Sequence, residues 1–180
     1  MRIAISGKSG CGNTTVSSLV AKKLGFPMIN FTFRNLSQEK GIDFWVFCDM
    51  AQKDDSIDRE LDSRQVKMAM AQDSCVLGSR LAIWMLKDAD LKVYLAADEY
   101  TRARRVYKRE GGDFASILQQ TRHRDASDTE RYKRIYGIDN NDSSIADLVI
   151  DAGSMTPEQI ADLIIEKASL TVQKKHDVVK

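Results

Sequence analysis

The chain has 180 residues, with 27 lysines and arginines against 26 aspartates and glutamates, and 43% of it is apolar. That size suits one globular domain, and the near-cancelling charge excludes a whole-protein field for a nucleic-acid polymer or a membrane surface. No apolar run approaches the ~18 residues of a membrane span, "MRIAISGKSG" lacks the long apolar stretch of a signal peptide, and Cys11, Cys48 and Cys75 have no metal-ligand spacing and read as reduced thiols of a cytoplasmic protein.

In chain order, "IAI" (Ile3–Ile5) reads as a strand and Thr14–Leu24 as a helix that Gly25 stops. "PMIN" (Pro27–Asn30) is a short second strand. Asn35–Gln72 is helical in pattern throughout, with no strand signal. "SCVLG" (Ser74–Gly78), "LKVYLAA" (Leu91–Ala97) and "ADLVID" (Ala146–Asp151) are three further strands, rich in β-branched and aliphatic residues. Helical patterns fall at Ser79–Lys87, Asp98–Glu110, Phe114–Tyr136 and Pro157–Ala168. The last has Thr156 as its cap, Pro157 in its first turn and Gln159 placed for a capping box. Strands alternating with helices predict a parallel sheet covered on both faces. Two helical excursions leave that sheet, one before the third strand and one in the basic stretch Arg102–Arg134. The polar, uncapped tail after Ala168 is expected to fray.

The stretch "GKSGCGNTT" (Gly7–Thr15), between the first strand and its helix, has the shape of a phosphate-cradling loop. In the pattern G-x-x-x-x-G-K-[ST] the glycines let successive N–H groups turn toward phosphate oxygens. The positive helix N-terminus adds to them. Gly7, Gly10 and Gly12 supply the glycines, and Thr14 the hydroxyl that holds magnesium. Asn13 stands where the lysine belongs. A charge-assisted hydrogen bond is worth roughly 1.5–3 kcal/mol, so this exchange removes a sizeable catalytic contribution. Lys8 lies five positions earlier in the same loop. That offset resembles the signature lysine in the deviant loops of partitioning and nitrogenase-type ATPases, although those keep the second lysine too. The plainer reading of Lys8 is a solvated loop lysine.

Positive charge is local. Arg102, Arg105 and Arg109 fall within about 60° of one another on a helix, and Arg124, Asp128 and Arg131 share another face. Such clusters suit phosphoryl transfer, which needs positive charge around equatorial oxygens. Arg124 with Asp128 also fits an ordinary i,i+4 pair. Interspersed acids and few aromatics weaken a nucleic-acid reading.

With the loop, the stretches "FRNLSQEKG" (Phe33–Gly41), "IDRELDSRQ" (Ile57–Gln65), "SRLAIWMLKDADLKVYL" (Ser79–Leu95), "TRARRVYKREG" (Thr101–Gly111) and "ERYKRIYGID" (Glu130–Asp139) resemble the archaeal-type cytidylate kinases of the nucleoside monophosphate kinase superfamily. The likeness runs from the N-terminus to about Ala168. It implies an α/β P-loop fold: a five-stranded parallel sheet with helices on both faces, a helical monophosphate-binding insertion at about 31–72 and a short lid at about 110–133. Residues 1–170 would form one kinase domain, and 171–180 a frayed tail.

The resemblance also implies roles. The backbone of Gly10, Cys11, Gly12, Asn13, Thr14 and Thr15 would hold the ATP β-phosphate, with Mg2+ on Thr14. Arg34 and Arg80 would grip the acceptor, Arg105 and Arg109 would meet the donor nucleotide, and Arg124 and Arg131 would clamp the transferring group; the loop offset, rather than this family, makes Lys8 the candidate replacement for the missing lysine. The implied reaction converts ATP and CMP or dCMP to ADP and the diphosphate, in a protein favoured as a monomer.

The sequence departs from that family at three places. Asn13 replaces the loop lysine. Gly78 stands where an acid orients magnesium, followed by Ser79 in place of a glycine. The turn before "FR" is "NFTF" (Asn30–Phe33), about two residues short. Asp43 and Asp98 are other carboxylates that could assist a metal. Two alternatives stay open: a nucleotide-binding protein that has lost catalysis, and a kinase of another small acceptor.

Overall fold

Ile3, Ala4 and Ile5 are fully buried, because the strand they seed lies in the middle of a sheet. The computed structural model describes residues 1–178. Its strands are β1 (Arg2–Gly7), β2 (Met28–Ile29), β3 (Cys75–Gly78), β4 (Leu91–Ala96) and β5 (Leu148–Asp151). They form one parallel sheet in the order β2-β3-β1-β4-β5. The helices are α1 (Asn13–Leu24), α2 (Phe33–Glu39), α3 (Phe44–Ala51), α4 (Asp55–Met70), α5 (Ala82–Met85), α6 (Glu99–Glu110), α7 (Phe114–Tyr136) and α8 (Pro157–Val178).

Alternate residues of a strand face opposite sides, and the core divides accordingly. On one face Ile3, Ile5 and Val93 pack with Val16 and Val20 of α1 and Ile160 and Ile164 of α8. On the other, Ala4 and Leu77 pack with Ala69, Ile83, Leu86 and Tyr94. Each buried Ile or Leu contributes roughly 1.5–3 kcal/mol. The expected parallel sheet covered on both faces is therefore the observed one.

The helical stretch before β3 is three helices with a core of their own: Leu36, Phe47, Ala51, Ile57 and Leu61. Thr32 caps α2 in a capping box with Asn35. Asp43 caps α3 and Asp54 caps α4. The basic excursion is α6 and α7, joined across Gly111 and Gly112 at φ +72° and +96°. Side chains rarely adopt those angles. Phe114 packs edge-on against Tyr100 and Tyr107 of α6.

Two expectations fail. The helix expected over Ser79–Lys87 is the single turn α5. Ser79 N–H still bonds the Ile5 carbonyl, and Ser6 Oγ takes the Ile83 N–H, so the chain remains tied to β1 beyond the strand. The tail expected to fray at 171–180 is helical as far as Val178, since α8 continues ten residues past Ala168. Residues 169–178 contain neither glycine nor proline, and the Ser169 and Thr171 hydroxyls bond back to the Ile165 and Lys167 carbonyls. Val179 and Lys180, also within the expected frayed tail, lie outside the described residues. The α8 start is as expected: Thr156 and Gln159 exchange both bonds of a capping box.

Candidate active site

The loop between β1 and α1 turns on glycine. Gly10 and Gly12 have φ +84° and +99°. A β-carbon on Gly10 would stand 2.8 Å from the Arg102 carbonyl oxygen, whereas one on Gly12 would meet nothing within 4 Å. The loop is thus pressed onto α6 at one glycine and open at the other, as a cradle for an anion must be. Arg102 is buried beneath it. Its guanidinium bonds the Ser9 and Ala97 carbonyls and pairs with Asp125 at 2.6 Å. Arg105 bonds the Gly10, Cys11 and Ala152 carbonyls. Both arginines brace the loop from below. Arg109 is exposed and pairs with its neighbour Glu110.

Asn13 does not stand in for a lysine side chain reaching outward. Its Nδ2 donates to the Gly7 carbonyl at 2.6 Å, and its Oδ1 is buried without a partner among the described residues. Thr14 and Thr15 are at the mouth of α1. Lys8 lines the cavity into which the loop opens, and after the bonds from Asn141 and the charge of Lys133, its charge helps hold the Asp139 carboxyl below its ordinary range. Cys11 is buried, and burial pushes its thiol up, so it is a packing residue at neutral pH.

The loop opens into a cavity of about 700 Å³ that also takes in Arg34, Arg80, Arg105, Arg109 and Arg124. Arg80 is anchored by Asp128 of α7 at 2.5 Å. Phe44 carries two guanidiniums: Arg34 at 4.2 Å from its ring centroid and Arg124 at 5.5 Å. Among the described residues, Arg124 has no carboxylate of its own. The neighbouring Arg80 charge, together with burial, pushes it down to about 10. It stays charged at neutral pH, and an anion would relieve that repulsion.

Arg131 is placed differently. Its guanidinium takes both carboxylate oxygens of Asp58, at 3.0 and 3.2 Å, as well as Asp128 and Ser127. It lies outside the main cavity, and the expected Arg124–Asp128 pair is replaced by Asp128 bridging Arg80 and Arg131. The two spare carboxylates are caps rather than metal ligands. Asp43 accepts from Trp45 and Val46, and Asp98 accepts from Thr101. Among the described residues no three His, Cys, Asp or Glu converge on a metal position. A lone hydroxyl such as that of Thr14 suits magnesium, which keeps several waters and takes its other ligands from phosphates.

The model of the cytidylate kinase-like family matches residues 2–154. The chain belongs to that family. It is 46% identical over 163 residues to cytidylate kinase 2 of Borreliella afzelii, covering 88% of this chain and 91% of that one. It is 41% identical over 160 residues to the cytidylate kinase of Archaeoglobus fulgidus, covering 88% and 89%. Among solved structures it is similar to a shikimate kinase from Bacteroides thetaiotaomicron, at TM-score 0.61 and 14% identity over 96% of this chain and 98% of that one. It is also similar to a deoxyadenosine kinase from M. mycoides, at TM-score 0.57 and 20% identity over 94% and 99%. Those two likenesses bear on the fold alone.

In this cytidylate kinase-like chain the end of β3 has no room for the acid that the sequence resemblance leads one to expect there. A β-carbon on Gly78 would stand 2.9 Å from Ser17 Cβ and closer still to Ser17 Oγ. Ser17 Oγ and Ser79 Oγ are both buried without partners among the described residues. The cavity is also lined by residues to which the sequence gave no role, Phe44, Asp62 and Gln65, while Arg102, expected in the basic cluster, is instead buried beneath the loop. Asp58, Leu61, Asp62 and Gln65 are all buried on α4. Polar residues recurring in step with a buried apolar stripe were the available signal.

Proposed function

We propose that this protein is a nucleoside monophosphate kinase that moves the γ-phosphoryl of MgATP onto CMP or dCMP. One observation carries the reading: a single cavity joins the glycine loop to three guanidiniums, Arg34, Arg80 and Arg124. The named activities of the relatives support the choice of acceptor.

An acceptor phosphate is already nucleophilic, so no general base is required. Its oxygen forms a bond to the γ-phosphorus while the bond from that phosphorus to the β-bridging oxygen breaks, leaving the electron pair on ADP. Catalysis is then positioning and charge. The loop amides from Gly10 to Thr15 hold the donor, Arg34 and Arg80 hold the acceptor, and Lys8 and Arg124 face the transferring group. Arg105 holds the loop in shape, and Arg109 stands at the donor side. Thr14 would hold magnesium, which when bound draws negative charge from the donor phosphates. The α6–α7 hairpin would act as the lid that excludes water. Arg131 would enter that clamp only by leaving Asp58.

The test is an assay of the purified protein with ATP and each nucleoside monophosphate, reading ADP. Turnover with CMP or dCMP is expected. Binding of both nucleotides without ADP formation would overturn the kinase reading and leave a nucleotide-binding protein.

A further inference from the structure

Asp62 and Gln65 sit one helical turn apart on α4. They are 6% and 5% exposed, yet both line the cavity. Buried polar groups normally find partners in the protein or in ordered water, and within this protein each of these side chains is satisfied on one side only. Gln65 Nε2 donates to the Phe31 carbonyl, which fixes the orientation of the amide. Turning it over would set its oxygen against that carbonyl. Gln65 Oε1 therefore faces away from Phe31. It has no partner among the described residues, and it is not among the buried oxygens sealed from solvent. Asp62 Oδ2 accepts from the Tyr136 hydroxyl at 2.8 Å. Asp62 Oδ1 likewise has no partner among the described residues and is not sealed. Two oxygens on one helix face thus remain free of protein partners on side chains that line the cavity.

We propose that Asp62 and Gln65 read the edge of the acceptor's base and select cytosine over uracil. The inference rests on the monophosphate-kinase reading given above. Cytosine offers an amino donor at N4 beside an acceptor at N3. Uracil has the same shape but offers an acceptor at O4 beside a donor at N3. The Gln65 oxygen can only accept, so it takes an N4 hydrogen and meets uracil O4 lone pair to lone pair. Burial pushes the Asp62 carboxyl up to about 7, so a large fraction is protonated at neutral pH. In that form it donates to N3 of cytosine, whereas it meets the N3–H of uracil donor to donor. A site whose buried polar groups are matched by one substrate rejects its isostere strongly, because the unmatched groups stay unpaired.

The test is kcat/KM for CMP and for UMP in wild type and three variants, with KM for ATP and a thermal melt beside them. Wild type should favour CMP by about 100-fold or more. Gln65→Met and Asp62→Leu should each lower that ratio by about tenfold or more, with KM for ATP within about twofold. Asp62→Asn should keep the ratio, because its amide still accepts from Tyr136 and donates to N3. A wild type that does not discriminate, or variants that lose both substrates equally, would overturn the inference while leaving the kinase reading intact. If neither nucleotide is phosphorylated, the kinase reading fails separately. The ratio of CMP and UMP dissociation constants from calorimetry then decides the base inference, and a ratio near one overturns it.

Discussion

Gly78 and Ser17 occupy one another's space: a β-carbon on the glycine would lie 2.9 Å from the Ser17 Cβ, with Ser17 Oγ nearer still. The end of β3 therefore admits no side chain while Ser17 is present. Gly78→Ala alone should destabilise the protein by about 1–3 kcal/mol, the usual cost of overpacking. Adding Ser17→Gly should recover part of that loss, less about 1 kcal/mol for a glycine within α1. Urea unfolding of the two single variants and the double checks it. Additive effects would show that the two positions are not in contact in solution.

Arg124 and Arg131 should behave oppositely on substitution. Arg124 stands beside Arg80 without a carboxylate of its own among the described residues, so Arg124→Ala should leave the melting temperature unchanged or raised. It should lower kcat on the order of 10³-fold or more, as for other arginines facing a transferring phosphoryl group. Arg131 is tied to buried Asp58 and Asp128. Breaking such a pair costs about 3–5 kcal/mol, so Arg131→Ala should melt well below wild type. A melting curve for Arg131→Ala that overlays wild type would remove this distinction.

Lys8 should supply the charge that Asn13 lacks. Lys8→Ala should depress kcat by about tenfold or more, in line with roughly 1.5–3 kcal/mol for a charge-assisted bond, and leave KM for the monophosphate nearly unchanged. Placing Asn13→Lys in that background should restore part of the rate, although it forfeits the Asn13 bond to the Gly7 carbonyl. A kcat for Lys8→Ala within about twofold of wild type would leave Lys8 as a solvated loop residue.

Asp62 should make stability fall with rising pH. Burial raises its folded pKa to about 7, from an ordinary value near 3.8, despite the Tyr136 bond. The native state therefore holds a proton that the unfolded chain has released, and stability declines as pH rises through that window. Asp58 on α4, Arg131 and Tyr136 on α7, and Arg80 beyond β3 all bear on this group. Asp62→Asn should be more stable relative to wild type at about pH 8 than at about pH 5. A difference that does not change between those two pH values would show that Asp62 ionises normally.

The sheet was legible in the sequence, because β1, β3, β4 and β5 are apolar runs bounded by turns and their alternation with helices permits few topologies. The phosphate loop was legible too, since its chemistry is carried by adjacent residues. The extents of α5 and α8 were not. The Ile5 bond that holds Ser79 out of the first comes from a neighbouring strand, and the second simply lacks a breaker. Spacing put Arg124, Asp128 and Arg131 on one face, but only the packing of α7 against α4 and the β3 end decided their partners. Asp128 went to Arg80 and Arg131, which left Arg124 facing the cavity. The bracing by Arg102 and the half-satisfied pair of Asp62 and Gln65 depend on bonds between residues 34 to 93 positions apart. Local sequence determines which groups a helix face presents. Which of them find partners, and which are left to bind a ligand, is settled only when distant elements compete for the same hydrogen bonds.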